Sequence, residues 1–91
     1  MTKYPERELT VVPECNDEND NPTCWAMSCG KDGDGREHFI WICKYDDHEY
    51  IIENENGYNL ADKTVFKTLN GAKRRAEGIA WRRDESASWD D

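Results

Sequence analysis

The chain has no long apolar run and little basic charge, and both absences restrict what it can be. Its 91 residues contain no stretch near the roughly 20 consecutive apolar residues of a membrane-spanning helix. The first residues are charged and form no apolar signal sequence, so we expect a cytoplasmic protein that does not associate with membranes. Twelve Lys and Arg against 20 Asp and Glu give a net charge of -8, which disfavours direct binding of nucleic acid by the whole surface.

Sequence motifs of enzymes are missing as well. No glycine-rich loop stands before a helix to hold a phosphate, and no glycine-serine nucleophile motif occurs. The two histidines, His38 and His48, have no third group spaced to orient them as catalytic bases. We therefore expect a protein that is not an enzyme and uses no cofactor.

Four cysteines leave a metal site open as an alternative. Four thiolates can hold a zinc ion, but zinc modules usually separate paired ligands by two to four residues, and no Cys-x-x-Cys occurs here. If a metal were bound, its ligands would be Cys15, Cys24, Cys29 and Cys43. A reducing compartment disfavours disulfides, so Cys24, Cys29 and Cys43 are expected to be small core residues. Cys24 and Cys43 are the first pair to test if a turn places them opposite each other.

The centre of the chain begins with a predicted hairpin. Residues 23–29 suit a strand with Trp25, Met27 and Cys29 on one side. Two Asp-Gly pairs follow within residues 31–35, and this dipeptide accepts the positive φ angles of tight hairpin turns.

Two further strands are predicted after this turn. Residues 37–45 are apolar at successive positions, which indicates a central strand covered on both faces. Residues 49–54 form the next strand if Asp46 and Asp47 make a two-residue turn. This two-residue turn fixes the pairing of the two strands, and it places Cys43 opposite Tyr50 and Trp41 opposite Ile52.

A helical period replaces the alternation from Thr68 onward. Apolar or long side chains recur at three- and four-residue intervals at Leu69, Ala72, Ala76, Ile79, Ala80 and Arg83. Thr68 is a suitable N-cap, because its hydroxyl can accept a hydrogen bond from a free amide of the first turn. The sequence predicts an α+β fold: a three- or four-stranded antiparallel meander packed by one C-terminal α-helix, with residues 9–12 or 64–66 as the optional strand.

Charge and periodicity together divide the chain into three parts. Residues 1–22 are expected to be an acidic N-terminal arm, residues 23–83 a single β-β-β-α domain, and residues 84–91 an acidic tail, giving a folded centre between loose ends. Within the domain, residues 67–83 hold six Lys or Arg against one Glu. The chain is therefore an acidic body that bears one basic segment.

Two sets of charged residues are candidates for contacting a partner. Carboxylates on turns and strand edges can occupy a cationic groove, although such residues also solvate a small sheet and prevent its aggregation. The acidic candidates are Asp46, Asp47, Glu49, Glu53, Glu55 and Asp62. The basic candidates are Lys73, Arg74 and Arg75, in the first half of the predicted helix.

The segment Thr68-Leu-Asn-Gly-Ala-Lys-Arg-Arg-Ala-Glu77, following three predicted strands, resembles a pattern of small phage and mobile-element proteins. Some anti-CRISPR proteins are similar in size, charge and sheet-plus-helix form. The resemblance implies an inhibitor that binds a host protein complex, a nuclease or surveillance complex, in the host cytoplasm. The acidic arm and the four cysteines are not part of that pattern.

The resulting expectation is a nonenzymatic acidic binding protein that occludes a nucleic-acid-binding groove of its partner. Two alternatives stay open: a small nucleic-acid-binding regulator that uses the helix of residues 67–83, and a cysteine-rich zinc-binding module. The sequence specifies no oligomeric state.

Overall fold

A computed structural model of the protein describes residues 5–87. Its elements, in chain order, are β1 (Leu9–Val11), β2 (Cys24–Lys31), β3 (Glu37–Asp46), β4 (Glu49–Glu53) and α1 (Leu69–Ser86). The strands form one antiparallel sheet in the order β1-β2-β3-β4, and α1 packs against it. The predicted α+β meander with a C-terminal helix is confirmed, with four strands.

The core lies between α1 and one face of the sheet. Alternation along β2 directs Met27 and Cys29 toward the helix, and Trp25 packs on the same side, as predicted. The strand β3 contributes Ile40 and Ile42. The helix adds Ile79 and three alanines, whose small side chains allow it to lie close to the sheet: Ala72, Ala76 and Ala80. The hydroxyl of Thr68 accepts a hydrogen bond from a backbone N–H of the first turn, which confirms the predicted N-cap.

The opposite face of the sheet, called the open face below, carries no helix of residues 5–87. It comprises Thr10 of β1, Cys24, Ala26, Ser28 and Lys31 of β2, Glu37, Phe39, Trp41, Cys43 and Asp46 of β3, and Glu49, Ile51 and Glu53 of β4. The side chain of Phe39 is 39% exposed there. The prediction that β3 is covered on both faces is therefore wrong, since α1 covers one face alone within the described chain.

The β3–β4 turn starts one residue later than predicted. Residues 47–48 form the turn, and the strand ladder contains an irregularity just before it. The predicted partners of Cys43 and Trp41 are consequently wrong by one residue, because Ile51 and Glu53 lie opposite them. The shift brings an acidic side chain beside Trp41 on the open face.

The segment before β1 lies along α1. The Trp81 indole Nε1 donates to the backbone oxygen of Pro5 at 2.9 Å, and the backbone N–H of Arg7 donates to a Glu77 carboxylate oxygen at 3.2 Å. The Arg7 guanidinium pairs with Asp84 at 3.1 Å and lies 4.3 Å from the Trp81 ring centroid. Part of the predicted N-terminal arm thus packs on the helix, and β1 within that arm joins the sheet. Residues 88–91 of the predicted tail lie outside the described residues.

The outer edge of β4 is lined by residues 59–66. Tyr50 and Phe66 exchange two backbone hydrogen bonds of 2.8 Å, and the N–H of Leu60 donates to the oxygen of Ile52 at 2.8 Å. Among residues 5–87, no helix is long and apolar enough to cross a membrane.

Candidate acidic binding surface

Five of the six predicted carboxylates lie on the β3–β4 hairpin or directly after it. Asp46, Asp47 and Glu49 are exposed at its tip, Glu53 lies on the open face, and Glu55 comes just after β4. The sixth predicted residue, Asp62, is exposed in the segment of residues 59–66 that lines the outer edge of β4. One hairpin therefore carries five of them, three at its tip and two at the opposite end of β4: Asp46, Asp47, Glu49, Glu53 and Glu55.

The open face is acidic and aromatic. Of its thirteen strand residues, four are Asp or Glu and one is Lys. The rings of Phe39 and Trp41 lie 6.3 Å apart at an interplanar angle of 42°. Within residues 5–87, the strand positions of this face thus present negative charge around aromatic surface, an arrangement complementary to cations.

A tyrosine fixes the central carboxylate of this face. The Tyr45 hydroxyl donates to Glu53 Oε2 at 2.5 Å. This bond to the carboxylate, with a smaller effect of burial, raises the pKa of Tyr45 above its ordinary value. Tyr45 is therefore a hydrogen-bond donor at neutral pH, and it holds Glu53 in one orientation. The contact between Tyr45 and Glu53 could not be assigned from the sequence, because it depends on the shifted register.

A small cavity of about 190 Å³ opens beside Glu53. The turn after β4 forms one wall and is held by Asn54, whose Oδ1 accepts the backbone N–H of Asn56 and of Tyr58 at 2.9 Å each. The cavity is lined by Trp41, Cys43, Glu53, Asn54, Glu55 and Gly57. An aromatic side chain and two carboxylates therefore line one shallow, open depression.

Three thiols meet on the open face, and the fourth does not. Cys24 and Cys43 lie opposite each other, with the Cys24 thiol donating to the Cys43 sulfur at 3.5 Å. Cys24 is also the main cause that raises the pKa of the Cys15 thiol, by hydrogen bonding. Burial is the main cause that raises the pKa of Cys43.

Cys29 lies on the helix side of the sheet and is 1% exposed. The four cysteines therefore do not converge, and the four-thiolate zinc site considered from the sequence is wrong. Within residues 5–87, no group of three or more His, Cys, Asp or Glu could hold a metal ion. Burial raises the pKa of Cys29 to about 11, so its thiol is protonated at neutral pH.

A second cavity, of about 300 Å³, adjoins the start of β3 and includes Cys29, His38 and Arg83 in its lining. His38 Nε2 lies 3.0 Å from Asp32 Oδ2. This contact, followed by the backbone N–H of Arg36, lowers the pKa of Asp32. Because the Cys29 thiol is protonated and buried, the arrangement lacks an activated nucleophile.

The basic candidates lie on the other layer of the molecule. Lys73 pairs with Glu6 at 3.1 Å, whereas Arg74 and Arg75 are exposed. All three are on α1, which packs against the face opposite the open face. A partner seated on the open face would therefore not contact them through the same flat interface.

Comparisons with protein families, with curated proteins and with solved structures found no match to this chain.

Proposed function

We propose that this protein is a nonenzymatic acidic binder whose β3–β4 hairpin and open face occupy a cationic, nucleic-acid-binding groove of another protein. The observation that carries the proposal is the excess of carboxylates on the open face, where three glutamates and one aspartate stand against one lysine and surround aromatic surface. Carboxylates in such a row take the place of phosphates in a groove lined by cations.

The distribution of charge supports this orientation. The net charge of -8 attracts the molecule to a cationic partner, and long-range attraction of this kind raises association rates. The exposed tip carboxylates Asp46, Asp47 and Glu49 reach the partner first in this arrangement. The exposed Arg74 and Arg75 of α1 are on the other layer.

The resemblance of residues 68–77 to small phage proteins adds a partner class. On that basis we propose an inhibitor of the anti-CRISPR type, acting on a host nuclease or surveillance complex in the host cytoplasm. Occlusion of the groove, with no chemical step, would be its mechanism.

A second candidate function is nucleic-acid binding through residues 67–83. The exposure of Arg74 and Arg75 favours it, because guanidinium groups pair well with phosphates. Lys73 weighs against it, since its ammonium already pairs with Glu6.

The test is affinity capture from a host lysate with the full chain, followed by binding kinetics on the captured protein. Replacing Asp46→Asn, Asp47→Asn and Glu49→Gln together should slow association several-fold and flatten its salt dependence, because charge acts mainly on the association rate. Glu85→Gln is the matched control, since this exposed carboxylate is on α1 behind the sheet, and it should leave the rate unchanged.

Two outcomes would overturn the proposal. The first is an unchanged association rate in the triple variant. The second is tight binding of a 20-base-pair DNA duplex by the chain, with the affinity lost in the variant Arg74→Gln, Arg75→Gln, which would establish the second candidate instead.

A further inference from the structure

The cavity beside Trp41 has the chemistry of a site for one arginine side chain. We propose that it receives an arginine side chain of the cationic partner. This inference rests on the proposed acidic binding function and specifies which side chain of the partner the cavity binds. The guanidinium would lie against Trp41 and pair with the carboxylates of Glu53 and Glu55.

The size of the cavity fits such a group. A cavity volume of about 10–15 Å³ is enough for one water molecule, and the volume of this cavity is about 190 Å³. That space accommodates the four heavy atoms of a guanidinium together with part of its alkyl stem. None of the six lining residues is Lys or Arg, and the charged groups among them are two glutamates. Arg36 and Arg83 line the neighbouring cavity at the start of β3, which shares Trp41, Asn54 and Glu55 with this one.

The walls of the cavity favour arginine over lysine. A guanidinium is planar, stacks on aromatic rings, is weakly hydrated and forms two parallel hydrogen bonds to one carboxylate. An ammonium is a compact and strongly hydrated charge that gains less from a non-polar wall. Trp41 and Cys43 supply that wall, and the paired carboxylates supply the counter-charge.

The site is held in shape before any partner arrives. Tyr45 donates to Glu53 and fixes that carboxylate, while Asn54 accepts two backbone N–H groups and fixes the turn that carries Glu55. Preorganised groups lose less conformational freedom on binding. Tyr45 is accordingly a positioning residue, which acts through Glu53.

The experiment uses the full chain labelled with nitrogen-15 and two probes, the peptides Gly-Arg-Gly-Arg-Gly-Arg and Gly-Lys-Gly-Lys-Gly-Lys. We expect the arginine peptide to bind about three- to tenfold more tightly than the lysine peptide. Its addition should move the indole N–H signal of Trp41 and the amide signals of Glu53 and Glu55.

Variants locate the effect. Glu55→Gln, at an exposed position after β4, should weaken the arginine peptide several-fold, and Trp41→Leu should remove the preference for arginine. Tyr45→Phe should weaken the arginine peptide while its amide spectrum stays that of a folded chain. Glu85→Gln on α1 is the control and should bind both peptides as the unmodified chain does. If Trp41→Leu does not fold, the peptide comparison on the unmodified chain and the Glu55→Gln titration still decide the outcome.

Equal affinity for the two peptides on the unmodified chain would overturn the arginine site, as would an unchanged affinity in Glu55→Gln. If either of these results were found while the hairpin-tip triple variant bound the partner more slowly, the arginine site alone would be wrong and the proposed acidic binding function would be retained. Unchanged partner binding by the triple variant would instead remove the proposed function itself.

Discussion

Replacing Arg7 by Ala tests whether the segment before β1 is part of the folded unit. The Arg7 side chain is 14% exposed, pairs with the 36% exposed Asp84 at 3.1 Å, and lies 4.3 Å from the Trp81 ring centroid. An ion pair of this exposure contributes about 0.5 kcal/mol, the contact with the ring about 0.5–1 kcal/mol, and the covered alkyl stem about 1 kcal/mol. We therefore expect the variant to lower the free energy of unfolding by about 2 kcal/mol.

Urea unfolding at pH 7, followed by circular dichroism and tryptophan fluorescence, measures this loss. With a dependence on urea of about 1 kcal/mol per molar for a small domain, the midpoint should fall by about 2 M. Arg82→Ala is the matched control, an exposed arginine on the same helix, and should change stability by less than about 0.5 kcal/mol. A loss below about 0.5 kcal/mol in the Arg7 variant, with an unchanged urea dependence, would show that this segment does not stabilise α1 and would refute the reasoning.

Two further predictions concern the β2–β3 hairpin. Gly30→Ala should destabilise the protein by about 1–3 kcal/mol in the same urea assay, because φ is +96° at this position and the added Cβ would lie 2.3 Å from Asp84 Oδ1. Gly33→Ala is the control and should be nearly neutral, because a Cβ there would have no neighbour within 4 Å. Equal effects of the two substitutions would contradict this prediction. The His38 contact lowers the pKa of Asp32 below 3.8. The contact therefore stabilises the folded protein fully above pH 3.8, and this stabilisation is lost as the pH falls through the lower pKa that Asp32 has in the folded state. In an NMR titration, His38→Ala should raise the Asp32 midpoint toward 3.8, and an unmoved midpoint would assign the effect to backbone N–H groups instead.

Local patterns in the sequence predicted most of the fold. The Asp-Gly pairs of residues 31–35 form the first turn, and the alternation of residues 23–29 directs Met27 to the core. Thr68 caps α1 where the apolar period changes to that of a helix. Each of these features depends on neighbours within a few positions, which is why periodicity and turn chemistry identify them.

Contacts between distant residues could not be predicted in the same way. The bond between Arg7 and Asp84 joins positions 77 apart, and no spacing rule connects them. The β3–β4 register depends on an irregularity before residues 47–48, where several polar residues in sequence allow more than one two-residue turn. The candidate site inherits this difficulty, because Glu53 reaches Trp41 only in the observed register.

The bond from Trp81 to Pro5 has a practical consequence for experiments on this chain. It holds the first described residue beside the last turns of α1, so a tag or linker joined before Pro5 or after Ala87 is attached on the layer behind the sheet. Immobilising the molecule on a sensor through such a handle leaves the glutamates and aromatic rings of the other layer turned toward the solution.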